Sequence, residues 1–208
     1  MTRSHSSQPS RLPGRPKADA GAAPVNEQIL IIASRMFMET GYEPISLQQI
    51  ARACGVTKAT IYYYFDGKSD LFTAAVTRML QISRDMTQQF LRAPGPLRSR
   101  LEKIAEAKIR NSHADMDTMM RNSETFLSPE QRHTILEAEE NIHRTLAESF
   151  DLAMQQGELR RGNPLMLAHA FSSLLMLGNR SIAREWHDST EQLGQELVHL
   201  FLSGAGRH

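Results

Sequence analysis

The chain has 208 residues, of which 40% are hydrophobic, so it is long and apolar enough to bury a sizeable core. Its net charge of +1 does not by itself indicate a nucleic-acid partner. The charge is nevertheless uneven: residues 1–82 hold nine basic and six acidic residues, whereas the remainder holds 15 basic and 17 acidic residues. A mildly basic front and a mildly acidic back favour a DNA-facing module joined to a second unit.

Cysteine content and hydropathy exclude several classes of protein. Cys54 is the only cysteine, which excludes an intrachain disulfide and a cysteine-based zinc site and favours a reducing, cytoplasmic location. No apolar run approaches the roughly 20 residues of a membrane span. The first ten residues, MTRSHSSQPS, lack the hydrophobic segment of a secretory signal. We therefore expect no membrane partner.

Residues 1–24 are rich in Ser, Pro, Gly and Ala and carry four basic side chains, Arg3, Arg11, Arg15 and Lys17. Such a segment cannot bury enough apolar surface to fold alone, so we expect a flexible basic arm. The sequence leaves open whether this arm enters the minor groove of DNA or stays passive. Residues 25–40 then show the apolar repeat of a core helix, which Gly41 is well suited to end.

The stretch 46–71 organises the rest of the chain. Ser46 and Gln49 have the spacing of a helix-capping box, and an apolar face at helical spacing follows them. A break that contains Gly55 separates this short helix from a second one. Two short helices joined by such a turn are typical of a helix-turn-helix, whose second helix enters the DNA major groove.

Three positions define the geometry predicted for this motif. Ala51 lies where the two helices come closest, Gly55 takes a positive φ in the turn, and Ile61 locks the second helix against the first. The apolar stripe predicted for the second helix consists of Ala59, Ile61, Tyr62 and Phe65, with Thr57, Lys58, Thr60 and Tyr63 largely opposite. An ordinary αα-hairpin that binds nothing is the alternative, but three consecutive tyrosines favour a DNA-reading surface.

The run TKATIYYYF at residues 57–65, followed by Lys68 and Leu71, resembles the DNA-binding core of the tetracycline-repressor (TetR) family of bacterial regulators. Residues 26–79 follow the pattern of that family, and the rest of the chain matches it only in length and helical character. The resemblance implies an all-α fold with an N-terminal helix-turn-helix domain. It also implies a C-terminal helical domain for effector binding and dimerisation.

Helix geometry and the resemblance together assign the expected DNA contacts. The candidates for base edges are Gln48, Lys58, Ala59 and Tyr63, because Gln suits adenine, Lys suits guanine, and Ala or a ring edge suits the thymine methyl group. The candidates for phosphate contacts are Thr60, Tyr62, Tyr64 and Lys68, and Thr57 completes the DNA-binding set. A lysine in the first turn of a helix opposes the helix dipole, so Lys68 is best explained by a phosphate partner. For Tyr62 the alternative is a partly buried core ring. Cys54 is expected to be a small buried apolar residue, with redox sensing as the alternative.

We divide the chain into the arm (1–24), the helix-turn-helix domain (25–82) and a second domain (83–208). Pro94-Gly95-Pro96 marks a break between helices. Helical segments are predicted at 97–112, 116–126, 129–156, 163–184 and 189–203, which gives about nine helices in total. The pattern indicates no strand.

The last two segments each carry an apolar face: Leu165, Ala168, Phe171, Ser172, Leu175 and Met176 on one, and Leu193, Leu197, Leu200 and Phe201 on the other. Such faces form either an internal core or a four-helix interface between two copies. The resemblance implies the homodimer. A two-fold dimer also places two recognition helices one DNA turn apart, as a palindromic double-stranded operator requires.

The resemblance also implies an effector site in the second domain. The ligand-binding candidates are Met116, Met119, Met120, Phe126 and Met176, although methionines at helical spacing more often belong to a core than to a pocket. The histidine and acidic residues that suggest metal binding are His113, Asp115, Asp117, His133, His143 and His169. Their spacing does not place three ligands on one helical face, so we expect no metal and no cofactor.

The sequence therefore favours a DNA-binding transcriptional regulator, a repressor that a small-molecule effector releases from a palindromic operator. The alternative is a DNA-binding regulator controlled by a protein partner or by its concentration, without a small effector. An enzyme is disfavoured because the sequence lacks a phosphate-binding loop, a nucleophile elbow and a zinc-binding helix pair. The sequence identifies neither the effector nor the operator.

Overall fold

A computed structural model describes residues 24–110, 122–178 and 189–205 of the chain. Within these ranges the regular elements are eight α-helices and one 3-10 turn, which confirms the all-α prediction. They are α1 (Val25–Thr40), α2 (Leu47–Ala53), α3 (Lys58–Tyr64), α4 (Lys68–Arg92), α5 (Leu97–Arg110), the 3-10 turn η1 (Glu124–Phe126), α6 (Pro129–Gln155), α7 (Pro164–Leu177) and α8 (Thr190–Ala205). The N-terminal arm up to residue 23 lies outside the described residues.

Capping side chains begin several of these helices, and the box predicted at Ser46 and Gln49 is one of them. Ser46 Oγ accepts a hydrogen bond from the backbone N–H of Gln49, whose own side chain accepts from the backbone N–H of Ser46. Ser128 and Gln131 form the same reciprocal box at the start of α6. Asn163 Oδ1 accepts from two backbone N–H groups in the first turn of α7. Each cap contributes about 1 kcal/mol to helix stability.

Two hydrophobic cores lie along the molecule, and both α4 and α6 contribute to each. The first core is formed by the four helices α1, α2, α3 and α4 together with the first half of α6. Its largest fully buried side chains are Ile29, Phe37, Ile50, Ile61, Leu71, Phe72 and Ile135. The second core joins α5, α7 and α8 with the second half of α6 and the end of α4. Three aromatic rings, Phe150, Phe171 and Phe201, meet in it with centroids 5.0 to 6.1 Å apart.

The helix α4 is continuous from Lys68 to Arg92, so the boundary expected between residues 82 and 83 lies inside a helix. The predicted break at Pro94-Gly95-Pro96 is present between α4 and α5. An ion pair between Arg78 Nε and Glu27 Oε1, 2.7 Å long, fastens α4 to α1. The first core and the second are therefore connected by helices rather than by a loose linker.

The apolar faces of α7 and α8 are divided between the interior and the surface. Ala168, Phe171, Leu175, Leu193, Leu197 and Phe201 are buried in the second core. For these six residues the structure therefore agrees with the internal core that the sequence analysis considered. The exposed apolar face, as we call it below, consists of Leu165, Met166, Met176 and Leu177 on α7 and Leu200 on α8. None of the helices in the described ranges combines the length and the hydropathy that crossing a membrane requires.

Candidate DNA-binding surface

The turn between α2 and α3 depends on one small residue and one glycine. Ala51 is only 1% exposed, and its carbonyl accepts a hydrogen bond from the backbone N–H of Val56 at 3.0 Å. Gly55 has a φ of +67°, a conformation that strains residues with a Cβ atom. The positive φ predicted for Gly55 is confirmed. Ala51 is buried, and its predicted place at the closest approach of the two helices stays a prediction.

Thr57 sets the start of α3. Its Oγ1 accepts a hydrogen bond from the backbone N–H of Thr60 at 3.1 Å, and it lies 2.8 Å from Thr60 Oγ1. The two hydroxyl groups therefore bond to each other across the first turn. A phosphate contact from Thr60 would have to coexist with this hydrogen bond or replace it.

Within α3, only Ile61 is buried, and it is fully so. Phe65, the residue after the helix, is the second anchor and also lies in the first core. The predicted apolar stripe is wrong at Ala59 and Tyr62, since both are exposed. A helix of seven residues makes only about two turns. One side chain within it and one directly after it are enough to hold it, so its other side chains remain wholly or partly exposed.

The three tyrosines of α3 are all exposed, and Tyr63 is the most exposed of them at 80%. The Tyr63 and Tyr64 rings meet edge to face with centroids 4.9 Å apart. Lys58 Nζ lies 5.5 Å from the centroid of the Tyr62 ring. Tyr62 is 51% exposed and belongs to neither hydrophobic core, which disfavours the core ring considered for it. Gln48 on α2 is exposed as well. Beside it, helix α3 presents aromatic and cationic groups on an outward surface.

The ammonium group of Lys68 contacts the segment between α1 and α2. Its Nζ donates a hydrogen bond to the carbonyl oxygen of Glu43 at 3.0 Å and lies 4.3 Å from the centroid of the Tyr42 ring. Burial lowers the pKa of Lys68, and the carboxylate of Glu43 partly opposes that shift. This contact could not be predicted from the sequence, because its partners precede Lys68 by about 25 residues. A phosphate contact stays a prediction and would use the other N–H groups of the ammonium.

Tyr42 is a structural residue of the helix-turn-helix domain. It is buried beside Phe37 and Phe72, and burial raises the pKa of its hydroxyl. Its ring also stacks on Phe126 of η1, with centroids 5.1 Å apart. Tyr42 therefore connects the helix-turn-helix to the segment that leads into α6.

The ligand-binding candidates are not brought together in the described residues. Met116, Met119 and Met120 lie outside those residues. Phe126 packs on Tyr42 beside the first core, whereas Met176 lies on α7 and is partly exposed. Their assignment to one effector site stays a prediction.

Cys54 packs against the first core and is only partly buried. Burial raises the pKa of its thiol, which keeps the sulfur protonated at neutral pH. A protonated thiol is a poor nucleophile, so this environment favours the structural explanation of Cys54 over redox sensing.

Comparisons with known proteins agree with this geometry. Residues 29–75 match the family model described as bacterial regulatory proteins, tetR family. The chain is 26% identical over 172 residues to the HTH-type transcriptional regulator AcrR of Shigella flexneri, which covers 77% of this chain and 80% of AcrR. It is 34% identical over 80 residues to the HTH-type transcriptional activator FasR of Mycolicibacterium smegmatis. That match spans 38% of this chain and only 36% of the length of FasR.

A solved structure extends the likeness to most of the fold. The transcriptional regulator FadR of Bacillus subtilis, crystallised with stearoyl-CoA, superposes with a TM-score of 0.69 at 18% identity and covers 86% of this chain and 98% of FadR. The arrangement of helices is therefore shared beyond the DNA-binding part. With the helix-turn-helix of α2 and α3 and the family match over residues 29–75, this part of the chain is a DNA-binding region of the kind found in bacterial regulatory proteins of the tetR family.

Proposed function

We propose that this regulator acts as a homodimeric repressor that leaves a palindromic operator when a small-molecule effector binds. The observation that carries the proposal is the outward surface of α3. Tyr63 is strongly exposed on a helix that the fully buried Ile61 holds from behind. A short helix fixed in this way, with polar and aromatic groups in front, suits insertion into the major groove.

The exposure of the side chains supports the proposed division of DNA contacts. Gln48, Lys58, Ala59 and Tyr63 are exposed and would meet base edges. Tyr62 and Tyr64 are exposed beside them and would meet phosphates, together with Thr57, Thr60 and Lys68. Action on an operator would also place this chain in the cytoplasm.

The exposed apolar face supports the proposed dimer. Leu200 is 58% exposed, and four apolar side chains of α7 are exposed with it. Two copies related by a two-fold axis would bury these side chains against each other in a four-helix arrangement. The same axis would set the spacing between the two copies of α3.

The path of α6 supports control by an effector. It packs against α4 in the first core and against α7 in the second core. A ligand that binds one position of α6 better than another would therefore also bias the position of α4 and of the DNA-binding helices. The stearoyl-CoA bound to FadR supports a small molecule as the effector. We place the effector site in the second domain, with Met116, Met119, Met120, Phe126 and Met176 as its candidates.

The experiment is a mobility shift of purified protein on the DNA upstream of its own gene, at two salt concentrations. We expect saturable binding that salt weakens and that Tyr63→Ala weakens at least tenfold, while the melting temperature stays unchanged. Leu136→Ala, which truncates an exposed side chain of α6, is the matched control and should bind like the wild type. Wild-type affinity of Tyr63→Ala would overturn the proposed reading surface.

The effector is tested separately with a thermal-shift screen of metabolites, because a ligand of the native state raises the melting temperature by mass action. A metabolite that raises the melting temperature and also releases the protein from its operator supports the proposal. A broad library without any shift would favour a regulator controlled by a protein partner or by concentration.

A further inference from the structure

A cluster of titratable side chains lies between α6 and α7, outside the DNA-binding surface. Glu140 and His143 are three residues apart on α6, so their side chains share one side of that helix. His169 approaches them from α7, and the centroids of the two imidazole rings are 4.0 Å apart. The fold thus brings together two histidines whose spacing along the chain did not predict a metal site.

The donor atoms of this cluster converge. Glu140 Oε2 lies 3.7 Å from His143 Nδ1 and 3.5 Å from His169 Nε2, and one ligand atom from each residue fits within 4.8 Å of the others. In a tetrahedral zinc site, with metal–ligand distances of about 2.0–2.2 Å, neighbouring ligand atoms are about 3.3 Å apart. Small rotations of the side chains would close the difference. We propose that Glu140, His143 and His169 bind one divalent transition-metal ion of the zinc class per chain.

An unpartnered buried atom supports this assignment. His143 Nδ1 is buried and has no hydrogen-bond partner, although the Glu140 carboxylate faces it. An ordinary ion pair between Glu140 and a protonated His143 would place a hydrogen bond at this position. A metal ion between the two groups would instead supply the partner that Nδ1 lacks.

The ligand types and the exposure define the class of ion. Two imidazole nitrogens and one carboxylate oxygen suit Zn²⁺ or Co²⁺ better than Mg²⁺ or Ca²⁺, which prefer oxygen ligands. The side chain of His169 is 49% exposed, so water can reach the site and complete the coordination. The second oxygen of Glu140 lies 3.7 Å from Arg144 Nε, which leaves Oε2 for the metal. The ion would join α6, which packs on α4, to α7.

The test uses tag-free full-length protein stripped of metal with a chelator. Equilibrium dialysis and competition with a chromogenic chelator measure Zn²⁺ binding, and the visible absorption of Co²⁺ reports its ligands. We expect one tight ion per chain. His169→Ala and Glu140→Gln should each weaken binding at least tenfold. His133→Ala, which removes an exposed histidine from the same helix, is the matched control and should bind like the wild type.

Wild-type affinity in both His169→Ala and Glu140→Gln would overturn the proposal, as would an equal loss in His133→Ala. A sulfur-to-cobalt charge-transfer band that disappears in Cys54→Ser would assign the ion to Cys54 and overturn it too. His169 is half exposed, so its truncation should leave the fold intact, and far-UV circular dichroism of the metal-free variants checks this. Because no DNA is present, the result is independent of whether the proposed operator binding is right.

Discussion

The ammonium of Lys68 lies 4.3 Å from the centroid of the Tyr42 ring and donates a hydrogen bond to the carbonyl oxygen of Glu43. Lys68 opens α4, whereas Tyr42 lies in the segment between α1 and α2. The Tyr42 ring packs edge to face on Phe72 of α4, with centroids 5.0 Å apart. Lys68 thus helps to hold the start of α4 against the segment that leads into the helix-turn-helix.

This contact predicts two separable effects of Lys68→Ala. Loss of the cation–π contact and the hydrogen bond should lower the free energy of unfolding by about 0.5–1 kcal/mol, measured by urea denaturation. If Lys68 also meets a phosphate, affinity for all DNA sequences should fall and the salt-dependence slope should decrease by about 1. Lys103→Ala removes an exposed lysine of α5 and should change neither quantity. An unchanged salt-dependence slope of DNA binding, together with a lower free energy of unfolding, would show that Lys68 has a structural role only.

Local signals made the helix-turn-helix predictable from the sequence. These signals all lie between residues no more than ten apart in the chain. They are the capping box of Ser46 and Gln49, the glycine at position 55 and the spacing from Ala51 to Ile61. The stripe on α3 was predicted wrongly because periodicity does not reveal how much of a two-turn helix the core covers. Tyr62 therefore counted as part of an apolar face but is exposed.

Contacts between distant segments could not be read in the same way. Lys68 meets Tyr42, and His143 meets His169, only because helices that are separate in the sequence pack together. A signal for the second pair did exist in the Glu-x-x-His spacing of Glu140 and His143, once the neighbouring helix is taken into account. The continuity of α4 across residues 82 and 83 could not be predicted either. A change in composition indicates a domain boundary only where a helix ends.

The turn before α3 predicts a backbone effect at Gly55. No atom lies within 4 Å of a Cβ built on this residue, so the cost of Gly55→Ala comes from its φ of +67° alone. We expect urea denaturation to show a loss of about 1 kcal/mol in the free energy of unfolding. Gly162 has equally open surroundings but no positive φ, so Gly162→Ala should be neutral or slightly stabilising. Equal stabilities of the two variants would show that the left-handed turn carries no strain.

The exposed apolar face predicts how the proposed dimer can be broken without unfolding the chain. Leu200 and Met166 are both exposed in the single chain, so Leu200→Glu and Met166→Glu should leave the helical content unchanged. In a dimer the new carboxylates would be buried against apolar side chains, which is costly without a partner. We expect the double variant to have a monomeric mass in sedimentation equilibrium and to lose operator affinity steeply.

A matched control separates this effect from added charge. Leu136 is an exposed leucine of α6, and Leu136→Glu should keep the mass of the wild-type protein. A double variant at Leu200 and Met166 that retains a dimeric mass would reject the proposed interface. Monomers formed by Leu136→Glu would move the interface to α6.

The environment of Cys54 predicts slow reaction of its thiol. Burial against the first core raises its pKa, so the thiolate fraction at neutral pH is lower than in a free cysteine. Iodoacetamide should therefore modify the folded protein much more slowly than the same protein in urea, and mild peroxide should leave operator binding unchanged. Cys54→Ala is the control, and its operator binding should match that of the wild type with and without peroxide. Rapid alkylation of the folded chain, or peroxide-induced release from DNA that Cys54→Ala abolishes, would show instead that this thiol senses oxidation.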